Sequence, residues 1–307
     1  MELLHWRGEK KWALPSIDID SLELLAYVKF SSANVEVKPT FKSLVQKEGR
    51  TLPCLCLPED EVVYGNQEII KHLNLKHFDA NTWLDDGSKN YSLVLKAIIE
   101  ERLKPAVQAT LWMEVENYSE IVRPVFARNC RYPINFTEAK KIHDRIEEHV
   151  SLSKHLLEDE DATKMKKLMA EGADAIQTLS QFLKNRDFIF GARPCSVDAL
   201  LFSCLAPLVK IPLKSGELHN EVRKTENLVQ YVDRILMKYL REIEREEKDD
   251  TNEEKTQKEE SSAKKTSKSE DEENKYDWLF SVGIATAAMV SYAIHVGLIQ
   301  LRRTAAS

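Results

Sequence analysis

The side chains that could do thiol chemistry are five cysteines, and two of them stand close together. Cys54 and Cys56 are separated by one residue on a predicted strand, so their side chains face the same side of it. This arrangement suits a metal or redox pair, but leucines flank both cysteines, and small buried thiols are the favoured interpretation. An odd total without a CxxC motif argues against a disulfide framework and indicates a reducing compartment.

The histidines and paired acids form no recognisable metal set. The spacings of His72 with His77 and of His143 with His149 do not place two ligands on one helix face. No acidic partner completes a ligand set for either pair. Paired acids at 100–101 and 147–148 lie in helical runs and are interpreted as solvated faces. No glycine-rich phosphate loop is present. The sequence therefore predicts no metal, cofactor or nucleotide.

The composition is that of a globular protein with a mild acidic balance. The 307 residues are 43% hydrophobic and 31% charged, with a formal net charge of -6 at pH 7. This length is enough to bury a sizeable core. The absence of a basic excess argues against a nucleic-acid partner, which selects a positive stripe. The N-terminus lacks a basic region followed by a long apolar run, so a secretory signal is not predicted.

The C-terminal segment carries the most specific physical pattern. No Asp, Glu, Lys or Arg occurs from Trp278 to Leu301. As a helix this run spans about 36 Å, against about 30 Å for the hydrocarbon core of a bilayer. Trp278 marks one predicted membrane interface, and Arg302 and Arg303 mark the other, where basic side chains can reach the headgroups. The pattern predicts a transmembrane helix over 276–301, in preference to a buried core helix.

This helix is expected to be a tail anchor. Only residues 302–307 follow it, so we expect insertion after synthesis, with everything upstream in the cytosol. Its moderate apolarity and the basic residues after it favour the mitochondrial outer membrane over the endoplasmic reticulum. Gly283, Ala287 and Ser291 recur at four-residue spacing, which either arises by chance or lets another helix approach closely.

The region before the anchor divides into a linker and a folded part. Residues 242–275 are almost wholly charged or small and polar, a composition typical of a flexible linker because it buries too little apolar surface to order itself. Strands are predicted over 2–6, 35–38, 51–57 and 61–64, and helices over 22–30 and 66–73. Asp20 and Glu23 have capping-box spacing for the first helix. From 88 to 241 the pattern is helical, with one long amphipathic helix over 165–183.

This arrangement resembles the glutathione transferases. Pro53 stands where thioredoxin-like domains carry a cis-proline, and GNQEIIKHL over 65–73 is similar to the transferase helix that follows. Residues 188–191 and Asp198 resemble the helix-capping segment whose Asp opens the buried core helix, with Cys195 where a capping box has Ser or Thr. The resemblance implies an α+β/α fold with a thioredoxin-like domain over 1–80, an all-helical domain over 88–241 and the added C-terminal transmembrane helix.

A closer resemblance is to the metaxins, particularly those of the metaxin-1 type, and it covers nearly the whole chain. Five stretches in order carry it, together with the C-terminal span: WALPSIDIDSL from 12, GRTLP from 49, LWMEVENY from 111, YPINF from 132 and SVDA from 196. The resemblance implies a subunit of the outer-membrane sorting and assembly machinery, which inserts β-barrel proteins. The implied partners are a second metaxin and the barrel-shaped core subunit.

The transferase resemblance also identifies where catalysis would reside. An active transferase activates a thiol with a Ser, Tyr or Cys near the end of the first strand. Ser16 lies beyond Pro15 and suits a local cap, while Tyr27 is too far along the following helix. The Glu-Ser pair that holds glutathione is replaced by the neutral Asn66 and Gln67. The sequence therefore predicts a protein that is not an enzyme, with Ser16 as the residue to test.

If the chain is not catalytic, its function lies in its surfaces. Trp112, Tyr118 and Phe126 are a candidate partner surface, although each singly also suits a helix core. The transferase-like cleft is a second candidate, for a peptide or protein. Two alternatives to an assembly subunit stay open at this point: an adaptor that links mitochondria to motor proteins, and a membrane-bound glutathione-dependent enzyme.

Overall fold

Four short strands near the N-terminus form one mixed sheet in the order β2-β1-β3-β4. The strands are β1 (Glu2–Trp6), β2 (Glu36–Thr40), β3 (Cys54–Cys56) and β4 (Val62–Tyr64). β2 runs parallel to β1, whereas β3 is antiparallel to both β1 and β4. Leu3 pairs with Val37 on one side and with Leu55 on the other, and the side chains of both leucines are fully buried. The core of this region therefore lies against the central strands.

This computed structural model describes residues 1–40, 52–129, 138–151 and 161–241. All of them belong to one contact unit, Met1–Glu247. Among these residues, no helix combines the length and apolarity that crossing a membrane requires. The linker predicted over 242–275, the transmembrane helix over 276–301 and the tail over 302–307 lie outside the described residues.

Helix α1 (Ile19–Phe30) connects β1 to β2 and is buried on nearly every side. It packs against α2 (Asn66–Leu75) and α9 (Ser196–Lys210), so it has no wide polar face. The predicted capping box of Asp20 and Glu23 is wrong. Asp18 caps the helix instead, because its Oδ2 accepts a hydrogen bond from the backbone N–H of Ser21 at 2.8 Å.

The remaining described elements are helical. They are α3 (Asp86–Ile98), α4 (Lys104–Trp112), α5 (Val115–Asn117), α6 (Arg123–Asn129), α7 (Glu138–Ser151), α8 (Asp161–Leu183), α10 (Glu217–Lys224) and α11 (Glu226–Ile235). A π-helical turn, Ile99–Leu103, joins α3 to α4 without a break, and others lie over Tyr118–Val122 and Leu236–Leu240. α9 is the central helix of this group, with every residue from Val197 to Leu208 buried.

Most predicted elements are found, with shifted ends. The strand over 2–6 and the long helix over 165–183 are confirmed, the latter beginning earlier at Asp161. The third strand is shorter than predicted, because Pro53 and Pro58 flank it and neither has an N–H to donate to a ladder.

Candidate functional site

A cleft of about 520 Å³ opens where Pro53 approaches the start of α2. The Leu52–Pro53 peptide bond is cis. Asn66 and Gln67 line the cleft from the first turn of α2, while Glu100 and Lys104 line it from the α3–α4 segment. Residues from the sheet region and from the helical region thus face one another across it, at the position where the sequence predicts a transferase-like cleft.

Four polar side chains of this cleft bond to one another, namely Asp20, Glu23, Asn66 and Lys104, and we name them the Lys104 cluster. Nζ of Lys104 lies 2.6 Å from Oδ1 of Asp20. The side-chain amide of Asn66 donates to Oε2 of Glu23 at 2.6 Å and to the backbone oxygen of Asp20 at 2.9 Å. The cluster therefore ties α1, α2 and α4 together.

The electrostatics of the Lys104 cluster follow from burial and from opposite charge. Burial raises the pKa of Glu23, and the nearby Lys104 ammonium opposes that rise only in part. For Lys104, burial would lower the pKa, but Asp20 and Glu23 outweigh it, so the net shift is upward. Lys104 therefore stays charged, and the cluster supplies its own counter-ion.

Neither of the hydroxyls considered for thiol activation lines this cleft. Ser16 is fully buried, and its Oγ accepts a hydrogen bond from the backbone N–H of Asp18 at 3.1 Å. Tyr27 is also buried, and its hydroxyl donates to Oδ1 of Asn74 at 2.5 Å. Both hydroxyls take part in structural hydrogen bonds, and the one at Ser16 is local, as the sequence predicted.

The loop that holds Ser16 folds back on itself through a glycine. The N–H of Gly8 donates to the backbone oxygen of Pro15 at 2.9 Å. A Cβ at this position would lie 1.9 Å from the backbone oxygen of Leu14, so only glycine permits the close approach. The close packing of this loop keeps Ser16 in the interior.

The cysteines within the described residues are not activated thiols. Burial raises the pKa of Cys54 to about 12 and also raises the pKa of Cys56. Burial likewise raises the pKa of Cys195, and that of Cys204 to about 12. Because a reactive cysteine needs a lowered pKa, these four behave as small buried side chains.

Asp198 lies at the first turn of α9, where the sequence predicts a helix cap. Its carboxylate accepts hydrogen bonds from the backbone N–H groups of Ile189 and Cys195, both at 2.9 Å, and from the hydroxyl of Tyr231 at 3.1 Å. Cys195 occupies the position before the first helical residue. We name these four residues the Asp198 cluster. Its role is structural, because the carboxylate is fully buried among its donors.

The partner surface predicted from Trp112, Tyr118 and Phe126 is wrong for two of its three members. Trp112 and Phe126 are buried with ring centroids 5.1 Å apart, and Phe126 also contacts the Trp6 ring at 5.4 Å. Tyr118 is half-buried and stacks near His143 at 4.8 Å. Trp112 and Phe126 therefore belong to the core, where the Phe126 ring from α6 lies between the Trp112 ring from α4 and the Trp6 ring from β1.

One group of potential metal ligands is found on α7, which the sequence spacing did not indicate. Ligand atoms of His143, Asp144 and Glu147 lie within 4.8 Å of one another. Both carboxylate oxygens of Asp144 already accept hydrogen bonds from Lys140 at 3.0 Å, and this contact lowers the pKa of Asp144. The group is consequently a salt-bridged surface.

The predicted membrane residues are outside the described part of the chain. These are the interface residues Trp278, Arg302 and Arg303 and the helix-packing residues Gly283, Ala287 and Ser291. They stay predictions.

Sequence reasoning missed Lys104. Its partner Asp20 lies 84 residues away along the chain, a separation that no local sequence motif spans. One signal was available, because Lys104 is the only charged residue between Leu103 and Trp112. An isolated charge in an apolar helix predicts a buried ionic partner.

Two protein-family models match parts of the chain. Residues 21–143 match the family described as "Outer mitochondrial membrane transport complex protein", and residues 172–235 match "Glutathione S-transferase, C-terminal domain". Two solved structures are similar at low identity. The glutathione S-transferase CsGST63524 of Ceriporiopsis subvermispora is 9% identical with a TM-score of 0.49, covering 77% of this chain and 95% of that one. The beta-etherase LigF from Sphingobium is 15% identical with a TM-score of 0.48, covering 76% and 93%.

Relatives of similar length give the family. Metaxin-1 of Macaca fascicularis is 32% identical and covers 99% of this chain and 92% of its own length. Metaxin-1 of Mus musculus is 31% identical with the same coverage. Metaxin-3 of Danio rerio is 32% identical over 81% of this chain and 79% of its own. The match of residues 172–235 to the C-terminal domain of glutathione S-transferases supports the expected transferase-like fold. On the evidence of these relatives, the chain belongs to the metaxin family.

Proposed function

We propose that the chain is a non-catalytic subunit of protein import and β-barrel sorting machinery at the mitochondrial outer membrane. The match of residues 21–143 to an outer mitochondrial membrane transport complex protein supports both the membrane and a role in transport. The observation that carries the non-catalytic part is the Lys104 cluster, whose polar groups bond to each other in the place where a transferase would bind its substrate.

Two features of the cleft support this proposal. The Asn66 amide, at the start of α2, is directed toward Asp20 and Glu23, so it is unavailable to a glutathione amine or carboxylate. Among the described residues that line the cleft, no hydroxyl replaces the buried Ser16 apart from the phenol of Tyr64 on β4. A cleft that keeps its shape while its polar groups are satisfied internally suits a scaffold for assembly.

The membrane attachment is part of the proposal. The apolar run over 276–301 would anchor the chain, the linker over 242–275 would separate the folded part from the bilayer, and the folded part would face the cytosol. A second metaxin and the barrel-shaped core subunit would be its partners, with Gly283, Ala287 and Ser291 offering a surface for helix contact within the membrane.

The direct functional test is insertion of a β-barrel protein into mitochondria that lack this chain. We expect insertion to fall without the chain and to recover when the full chain is restored. A version ending at residue 275, which lacks the proposed anchor, should not restore it. Import of a cleavable matrix protein in the same mitochondria controls for general damage.

The non-catalytic claim has its own variant in this assay. Ser16→Ala should restore barrel insertion as well as the unaltered chain does, because Ser16 performs no chemistry. Normal barrel insertion in mitochondria lacking the chain would overturn the sorting role, and a Ser16→Ala chain that folds and reaches the membrane but fails in insertion would overturn the non-catalytic role.

A further inference from the structure

A second recess, of about 190 Å³, lies where α1, α2, α3 and α9 meet. It shares only Glu23 with the cleft beside Pro53, so it is a separate site. Pockets for drug-sized ligands measure roughly 300–1,000 Å³, and this one therefore suits a smaller molecule. We name it the α9 recess and define it by its polar side chains, which are Glu23, Asn74, Asn81, Lys96 and Ser196.

The α9 recess contains one acid and one base. Glu23 is only 7% exposed; its Oε2 accepts the hydrogen bond from Asn66, whereas its Oε1 accepts none from the described residues. Within the same part of the chain, Nζ of Lys96 meets an acid only at Oε1 of Glu100, and their separation of 3.6 Å is too long for a hydrogen bond. A simple anion would be repelled by Glu23 and a simple cation by Lys96, so a ligand that carries both charges fits best.

Three further polar groups offer hydrogen-bond donors. Oδ1 of Asn74 accepts from the Tyr27 hydroxyl, and Oδ1 of Asn81 accepts from the backbone N–H of Ser196 at 3.0 Å. No described residue accepts from either amide nitrogen or from the Ser196 hydroxyl, so these donors are available to a ligand. Amide and hydroxyl donors beside the Lys96 ammonium can bind a carboxylate. Because α9 begins at Ser196, the positive end of its helix dipole favours the same group.

The remaining wall of the α9 recess is aliphatic. Val197 and Leu200 from α9 are each 2% exposed, and Ile70 from α2 and Leu93 from α3 complete the wall. No aromatic ring is among the described residues that line it. A branched aliphatic side chain can bury its surface against these residues. An adjoining hollow of about 470 Å³, which Ile70 and Lys96 also line, provides a path from solvent.

We propose that the α9 recess binds a small free amino acid with an aliphatic side chain, with its ammonium group at Glu23 and its carboxylate at Lys96 and the amide donors. Burial raises the pKa of Glu23, and a bound ammonium group would stabilise the ionised carboxylate, as Lys104 already does in part. This inference goes beyond the proposed function, since it concerns a small ligand rather than assembly, and it does not depend on the sorting role.

The test is isothermal titration calorimetry of the full chain in nanodiscs, with free L-leucine as the probe and empty nanodiscs as the background. We expect a dissociation constant of about 1 mM or lower. Two analogues each lack one of the charges: leucinamide has no carboxylate, and 4-methylpentanoate has no ammonium group. Each analogue should bind roughly 10-fold more weakly than leucine, or weaker still, because it leaves a charged group of the recess without its partner.

Variants of the two charged residues assign the contacts. Glu23→Gln should weaken leucine binding by roughly 10-fold but should not weaken binding of 4-methylpentanoate, which has no ammonium group to lose a contact. Lys96→Met should likewise weaken leucine binding but not leucinamide binding. A purely structural effect would weaken leucine and its analogue alike. The Lys96 side chain is 41% exposed, so this variant should keep the wild-type circular dichroism spectrum.

The matched control is Lys89→Met, which removes another lysine of α3 that does not line the α9 recess. It should change leucine affinity by less than about two-fold. Equal weakening by Lys89→Met and Lys96→Met would contradict the proposal, as would the absence of a binding heat at millimolar leucine.

The analogues also separate a free amino acid from a polypeptide terminus. Leucinamide that binds as tightly as leucine would identify a peptide N-terminus as the ligand, and equally tight 4-methylpentanoate would identify a simple carboxylate; either result would overturn the proposal. Failure here with a normal requirement for the chain in barrel insertion would leave the proposed function standing. Leucine binding by a chain that barrel insertion does not need would remove the proposed function alone.

Discussion

The Asp198 cluster and the Lys104 cluster both join separate elements through a charged side chain, and they differ in where their partners come from. Asp198 accepts from donors 3, 9 and 33 residues away and is fully buried. Lys104 meets Asp20 across 84 residues, and its side chain is 20% exposed beside an open cleft. A fully buried carboxylate must keep its hydrogen bonds for the fold to form, because water cannot replace them. Side chains beside an open cleft can be rehydrated, so the loss of one of their bonds costs less free energy. The comparison assigns folding to the first cluster, and to the second the pairing of polar groups with one another at the edge of the cleft.

The largest expected effect comes from the first cluster. Asp198→Ala leaves two buried backbone N–H groups without their acceptor, whereas the Tyr231 hydroxyl keeps its 2.9 Å hydrogen bond to the backbone oxygen of residue 198, so we expect a loss of about 4 kcal/mol in the free energy of unfolding. Urea unfolding of the detergent-solubilised chain measures it. Ser196→Ala, at the first residue of α9 and two residues before Asp198, is the control and should change the free energy of unfolding by less than about 0.5 kcal/mol. A loss below about 1 kcal/mol for Asp198→Ala would show that the Asp198 cluster is not required for folding, in contradiction to the role assigned to it above.

Acid pH weakens the sheet region specifically through His5. This residue is fully buried on β1, and burial lowers its pKa from 6.5 to about 4. As the pH falls below about 6.5, His5 becomes protonated in the unfolded chain, whereas in the folded chain it stays neutral until about pH 4. The stability contributed by neutral His5 is therefore lost across that window, by about 3 kcal/mol in all. Unfolding titrations from pH 7 to pH 4 should show a greater loss of stability on acidification in the wild-type chain than in His5→Leu, because Asp18, whose pKa burial raises to about 7, opposes that loss equally in both chains. An equal slope in the variant would assign the acid sensitivity to another group.

A smaller loss is expected from the second cluster. Lys104→Met leaves Asp20 and Glu23 without their cation, which should lower the unfolding free energy by about 2 kcal/mol because the pair is only partly buried. Lys96→Met, which breaks the exposed contact with Glu100, should lower it by less than about 0.5 kcal/mol. Equal losses in the two variants would show that the Lys104 cluster is an ordinary surface ion pair.

The smallest effect is expected from Ser16. Ser16→Ala removes one buried acceptor for the Asp18 N–H and should lower the unfolding free energy by about 1 kcal/mol. Conjugation of glutathione to a chlorinated aromatic substrate should stay at the uncatalysed rate in both the wild-type chain and the variant. Conjugation by the wild-type chain that is lost in Ser16→Ala would identify an enzyme.

The sequence predicted the fold where the signal was local. The strand over 2–6, the apolar spacing of α8 and the Asp198 segment could be read because hydrophobic period and cap residues lie within one element. The first helix was predicted too late and with the wrong cap, since Asp18, Asp20 and Glu23 all have acidic side chains and only tertiary contacts decide which one caps.

The site could be predicted less well because its groups are distant in sequence. Pro53 and Asn66 were found through the resemblance, but Lys104 and Glu100 line the cleft only in the folded chain, where Lys104 contacts Asp20 of α1. The aromatic residues Trp112 and Phe126 were misassigned for the same reason, since composition does not tell which face of a helix meets the sheet.

Affinity isolation of the intact chain from gently solubilised mitochondria tests the central claim most directly. The account predicts that a second metaxin and the β-barrel assembly core co-purify with it, and that they do so equally well with Ser16→Ala. Recovery of motor-protein adaptors without either of those subunits would contradict the account and identify an organelle-transport protein instead.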